Sequence, residues 1–141
     1  MEKYRERISG PLLDRIDLHV EAPAVAFDEL RITERAEPCA AIRERIIRVR
    51  EVQRARFGEG GKVHINARMS SQQVRKFCAL SADAENLLRM AMDNLNLSAR
   101  AHDRILKVAR TIADLEGVDN IAPDHLAEAI HYRALDRKLW R

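Results

Sequence analysis

A cation in the first turn of a helix sits against the positive end of the helix dipole, an arrangement that turns favourable when an anion is bound nearby. Arg100, two residues after Ser98 at the start of an amphipathic segment, is such a cation. The chemistry open to it is anion binding; the plain alternative is an ordinary exposed helix arginine. Other chemistry finds little support. Gly58-Glu59-Gly60-Gly61-Lys62 makes a poor phosphate loop, with no Ser or Thr after its lysine, no strand before it and no clear helix after it. A strand ending in a metal-holding acid is also missing, since Asp17 interrupts its apolar run and does not follow it. The five histidines show no HExxH or other ligand spacing, so no metal site is expected. No nucleophile–base pair can be identified. The chain is therefore expected not to be an enzyme by itself.

Composition narrows the classes further. The 141 residues suffice for a domain with a real core, and 46% hydrophobic with few Gly and Pro favours helix. Aromatics at 4% leave little with which to stack single-stranded nucleic acid. Net charge is +3, but it is spread so evenly that no block forms a polybasic arm. No apolar run approaches the roughly 18 residues of a membrane span, and no signal-peptide pattern opens the chain, so no membrane partner is expected and the cytoplasm is the expected compartment. Cys39 and Cys78 lack CxxC or Cys/His spacing and read as two isolated thiols.

The elements that would position these residues fall into two parts. Residues 1–35 contain a turn at Pro11-Leu12-Leu13-Asp14-Arg15 and one strand signal, Ile16-Asp17-Leu18-His19-Val20, alternating at period two. A lone strand cannot bury its face, so its partners are expected elsewhere and this part is expected to be mobile in isolation. Residues 36–141 read as four or five helices. Pro38 opens the first, with Ile42, Ile46, Val49 and Gln53 at helical spacing through about Arg56, and Phe57 to Lys62, with Gly58, Gly60 and Gly61, forms a flexible break. Ser70 or Ser71 caps a short helix, and Ser81 caps one carrying Leu87, Leu88, Met90, Ala91 and Leu95. Ser98 caps the clearest helix, with Ala101, Ile105, Val108, Ile112 and Leu115 as its apolar stripe and Gly117 as its stop. Asp103 with Lys107 and Arg110 with Asp114 read as surface ion pairs on it. Pro123 opens a last helix with Leu126, Ala129 and Ile130 inward, followed by a tail with Arg137, Lys138, Trp140 and Arg141.

Several blocks carry a family resemblance. The stretch from Tyr4-Arg5 through Ile8-Ser9-Gly10-Pro11-Leu12-Leu13-Asp14-Arg15-Ile16-Asp17-Leu18-His19-Val20 resembles the ComM/YifB family of bacterial magnesium-chelatase-like AAA+ ATPases. So do Asn66-Ala67-Arg68-Met69-Ser70, Leu97-Ser98-Ala99-Arg100-Ala101 with Arg104-Ile105-Leu106-Lys107-Val108-Ala109-Arg110, and Ala127-Glu128-Ala129-Ile130 with Tyr132-Arg133. The blocks run in family order over nearly the whole chain.

The resemblance implies a mainly α fold: a C-terminal helical lid (residues 36–141) with a remnant of the AAA+ core carrying one strand (residues 1–35). It implies that Arg15 matches the arginine finger, which reaches across a subunit interface to the neighbour's ATP γ-phosphate, a task suited to a planar, permanently charged donor fork. It implies that Arg100 matches the sensor-2 arginine, with Arg104 one turn further on the same face as a second candidate for nucleotide contact. ATP and Mg2+ are then expected in the parent protein and not in the isolated chain. The implied partners are the rest of the AAA+ chain, neighbouring subunits of a hexameric ring and, through the parent, DNA. The implied activity is an ATP-driven helicase that aids recombination in natural transformation. The competing class is a free-standing basic helical module that binds nucleic acid. Arginines 43, 45, 48, 50, 54 and 56 in one helix suggest it, although they read as a solvated, salt-bridged face.

Overall fold

Three serines set where the central helices begin. The computed structural model describes residues 15–20, 22–25, 27, 37–58, 60 and 63–133. Among these residues five α-helices follow one another: α1 (Cys39–Phe57), α2 (Ser71–Phe77), α3 (Ala82–Leu95), α4 (Ala99–Glu116) and α5 (Pro123–His131), with a 3-10 turn, Asn66–Arg68, ahead of α2. Ser70 is the cap chosen for α2: its Oγ accepts from the Gln73 amide, and the Gln73 side chain accepts in return from the Ser70 amide at 2.9 Å. Ser81 and Ser98 accept from the amides three residues on, at 3.3 and 3.2 Å. Ser71 is left to bond across to α4, donating to Asp103 at 2.8 Å.

The stops are equally local. Gly117 ends α4 at φ 76°, where a Cβ would be strained, and the amides of Gly117 and Val118 return to the carbonyls of Asp114 and Ala113. Asn96 closes α3 in the same left-handed region. Pro38 lies just before α1, as its cap, and Pro123 takes the first position of α5.

Helix α4 is the hub, packing against α1, α2, α5 and the 3-10 turn. It buries Ala101, Ile105, Leu106, Ala109, Ile112 and Ala113, while Val108 is half-buried and Leu115 is exposed. The expected stripe was too narrow because a helix covered from several sides buries more than one face, and Ala109 and Ala113 let its neighbours approach closely. Val74, Cys78, Ala84, Leu88, Ile121, Leu126 and Ala129 complete the core, and a parallel bridge between Leu80 and Ile121 ties the α2–α3 link to the α4–α5 link. Of the apolar residues of α3, Leu88 is buried and Met90 is exposed.

Helix α1 departs further from expectation. Only Val49 and Gln53 are buried, and Ile46, Ile47 and Val52 lie exposed, so most of its length runs clear of the bundle. Of the four residues at helical spacing, Val49 and Gln53 are covered, Ile42 is half-buried and Ile46 is exposed.

Residues 16–20 do not form a strand. No strand occurs among the described residues, and the His19 amide instead donates to the Tyr132 carbonyl at the end of α5, at 2.8 Å. The physical reason is the one that made a lone strand doubtful: with no sheet to join, the segment takes what bonds the bundle offers. The turn at residues 11–14, the blocks at residues 4–10, most of the segment expected to be mobile and the tail with Arg137, Lys138, Trp140 and Arg141 lie outside the described residues.

Candidate functional site

Arg100 occupies the second position of α4, directly after the capped start, and its side chain is exposed. The Ser98 hydroxyl accepts from the Ala101 amide, and Arg100 lies in the first turn, at the positive end of the helix dipole. An anion bound there would relieve the mismatch of charge and dipole.

One turn along, Arg104 reaches back to the N-terminal segment. Its Nη1 donates to the Arg15 carbonyl at 2.8 Å and pairs with the Asp17 carboxylate. Arg133, just beyond α5 and only 1% exposed, donates to the Ile16 carbonyl. Together with the His19–Tyr132 bond, these contacts seat residues 15–19 on the helix that bears Arg100. The three arginines singled out from the sequence thus lie on one side of the bundle: Arg104 engaged with the segment, Arg15 and Arg100 exposed. Neither Arg15 nor Arg100 meets a carboxylate among the described residues.

A second polar cluster is internal, and sequence reasoning missed it. The Asp114 side chain is fully buried. It accepts from Arg56 Nη1 at 2.7 Å and from Nη2 as well, from Asn66 Nδ2 at 2.7 Å, and from Arg110 Nε at 3.0 Å. Arg110 spends its other nitrogens on the carbonyls of Val118, at 2.6 Å, and Asp119, locking the turn after α4. Asn66 in turn donates to Thr111, accepts from Arg56, and has its own amide bonded to Gln53. Burial alone would raise the Asp114 pKa, but hydrogen bonds from Arg56 and Asn66 and the charges of Arg56 and Arg110 outweigh it and hold the carboxyl below its ordinary range. The Arg110–Asp114 pair is therefore buried architecture rather than the surface pair its spacing suggested. The only sequence signal was a polar residue, Gln53, on the inward face of α1.

Asp103 and Lys107 also part company. Asp103 accepts from Ser71 and faces His102 Nδ1 at 3.1 Å, while Lys107 donates to the Ala67 carbonyl. His125 is buried and bridges two elements: Nδ1 accepts from the Ala122 amide at 2.9 Å and Nε2 faces Glu116 at 2.8 Å, which makes it a cap for α5. Cys78 is buried and its thiol is pushed up to about 11 by that burial, whereas Cys39 is exposed.

Among the arginines of α1, Arg45 pairs with Glu37, Arg48 with Glu44, and Arg56 turns inward to Asp114. Arg43, Arg50 and Arg54 share one side of the helix and meet no carboxylate among the described residues. Arg50 and Arg54 line an open groove of about 650 Å³ with Ala55, Gly58 and His64. No three His, Cys, Asp or Glu side chains converge as a metal site among the described residues, and no described helix is long and apolar enough to cross a membrane.

Comparison with known proteins agrees with this architecture. The chain is 44% identical over 138 residues to the competence protein ComM of Haemophilus influenzae, covering 97% of this chain and 26% of that protein. It is 41% identical over 138 residues, with the same coverage, to the uncharacterized protein YifB of Salmonella typhimurium and to that of Escherichia coli. The chain thus spans about a quarter of the length of these relatives. Residues 1–30 match the family described as magnesium chelatase, subunit ChlI, and residues 36–133, the helical bundle, match magnesium chelatase, subunit ChlI C-terminal. The chain belongs to this magnesium chelatase ChlI C-terminal family.

Proposed function

We propose that this chain is the lid and oligomerisation module of a ring-forming AAA+ ATPase. Arg15 serves as the arginine finger for a neighbouring subunit's ATP, and Arg100 serves as the sensor-2 arginine. The observation that carries the reading is the bond from Arg104 to the Arg15 carbonyl. It fixes Arg15 to the helix that bears Arg100, so two exposed guanidiniums share one framework. A guanidinium suits this role because its donor fork matches phosphoryl oxygens and its charge never titrates away.

ATP and Mg2+ belong to this reading as ligands of the longer protein. The chain supplies cations for the phosphates, and the metal is assigned to carboxylates elsewhere in the parent, since none converge here among the described residues. Similarity to a competence protein supports a parent with a role in competence; that the parent is a hexameric ATP-driven helicase acting on DNA in recombination goes beyond that name and is part of the proposal.

Mixed rings test the core of the reading. An Arg15→Ala subunit keeps its own nucleotide site, so wild-type neighbours should restore hydrolysis there. The decisive mixture is with subunits that keep Arg15 but cannot bind ATP: neither type hydrolyses alone, mixed rings should, and mixed rings that stay inactive would count against a finger acting across the interface.

A second reading, a basic helical module that binds nucleic acid, draws on Arg43, Arg50 and Arg54. These align along α1 and meet no carboxylate among the described residues, and Arg50 and Arg54 line the groove that holds His64. Anisotropy of labelled duplex DNA with the purified chain at several salt concentrations decides it, a steep salt slope with sub-micromolar affinity being the favourable result.

A further inference from the structure

We propose that Arg104 and Arg133 are positioning residues that clasp the arginine-finger segment to the lid, so that the finger a subunit presents to its neighbour moves with its own lid. The proposal rests on the reading of Arg15 as a finger and goes beyond it, by naming what aims the finger and what moves it.

The segment has little else to hold it. Among residues 15–20 only His19 is even half-buried, and no strand ladder is present. Among the described residues a row of polar contacts ties it to the bundle. Arg104 takes the Arg15 carbonyl and the Asp17 carboxylate, Arg133 takes the Ile16 carbonyl, and the Tyr132 carbonyl takes the His19 amide. Every anchor belongs to α4 or to the end of α5. These two helices share the core through Ile105, Ala109, Leu126 and Ala129, so the anchors move together. Arg133 is the more telling of the two arginines. A guanidinium that is 1% exposed carries a large desolvation cost unless its donors are used, and one of them is spent on a backbone carbonyl of this segment. The bundle therefore contains a built seat for residues 15–19.

Arg100 and Arg104 lie on the same α4, one turn apart. Any tilt of the lid that shifts Arg100 relative to nucleotide carries Arg15 with it through the Arg104 bond. The state of one site is thereby expressed as the placement of the finger at the next. A displacement of about 1 Å at such a group is enough to cost about 100-fold in turnover.

The test uses the full-length ATPase with Arg104→Gln, Asp17→Asn and Arg15→Ala in parallel, measuring kcat, KM for ATP and melting temperature. Asp17 is half exposed, with 53% of its side chain accessible, so its neutral variant reports on the clasp without disturbing the core. The clasp requires kcat to fall about 10- to 100-fold in both Arg104→Gln and Asp17→Asn, with KM within about twofold of wild type and melting unchanged for Asp17→Asn. A raised KM for Arg104→Gln, with Asp17→Asn at wild-type turnover, would mean that Arg104 touches nucleotide directly and would overturn the clasp. Wild-type turnover in both variants beside an inactive Arg15→Ala would overturn it too, while leaving the finger intact. An active Arg15→Ala would remove the finger reading itself and the clasp with it.

Discussion

Arg56 and Asp114, 58 residues apart in the chain, meet through both terminal guanidinium nitrogens and both carboxylate oxygens, joining the end of α1 to the last turn of α4. Asp114 is the single acceptor on which Arg56, Arg110 and Asn66 all converge, so the cluster cannot lose it without leaving two guanidiniums uncompensated.

Removing one partner of a buried ion pair typically costs about 3–5 kcal/mol, because the other charge is left buried and unpaired. Asp114→Ala should therefore destabilise the bundle by about that amount in urea unfolding. Arg48→Ala, which breaks an exposed pair with Glu44, should cost well under 1 kcal/mol, or roughly nothing. Equal costs for the two would refute the structural role of the cluster.

The same carboxylate should make stability depend on pH in a defined direction. Its folded pKa lies below the ordinary value of 3.8, so the folded state holds the ionised form more firmly than the unfolded chain does. The contribution is fully present above the unfolded pKa and is lost as pH falls through the folded one. The stability difference between wild type and Asp114→Asn should be flat from pH 7 to about 5 and shrink below about pH 4. A difference that grows on acidification would contradict it.

The two cysteines should separate cleanly toward a thiol reagent at pH 8. Cys39 is exposed, whereas burial leaves Cys78 with a pKa of about 11, so only about one in a thousand Cys78 thiols is ionised at that pH. One thiol should react at once and the second only after denaturant is added; mass spectrometry of the labelled peptides identifies which.

The exposed arginines are predicted to differ in kind when changed in the full-length ATPase. Arg15→Ala should lower turnover by about 10³- to 10⁵-fold while nucleotide affinity stays near normal, as for a charge that acts mainly in the transition state. Arg100→Ala should weaken nucleotide binding and turnover together, because a lid residue touches phosphate before hydrolysis begins. Titration with a fluorescent ATP analogue distinguishes them, and equal losses of affinity would rule out separate roles.

What could be read in the sequence was what the chain decides locally. Ser70, Ser81 and Ser98 cap their helices through amides three residues away, and Gly117 stops α4 through its own backbone, so neighbours in sequence suffice. Ile46, Met90 and Leu115 show the limit of periodicity, which identifies an apolar face without saying whether anything covers it. The Asp114 cluster was invisible for a different reason. Arg56 and Asn66 reach it only once α1 and the 3-10 turn have docked on α4, and no spacing rule spans that distance. The placement of Arg15 beside α4 was hidden likewise, since Arg104 and Arg15 are brought together only by the fold.

Because α1 is buried only at Val49 and Gln53 and pinned at Arg56, it behaves as a cantilever with its fulcrum at the Asp114 cluster. The fifteen residues from Gln53 back to Cys39 extend about 21 Å, at 1.5 Å rise between successive residues. A tilt of about 10° at the root would swing the free end by roughly 4 Å over that length. Small changes in how Arg56 and Asn66 grip Asp114 are thus magnified at the tip, far from the residues that make them.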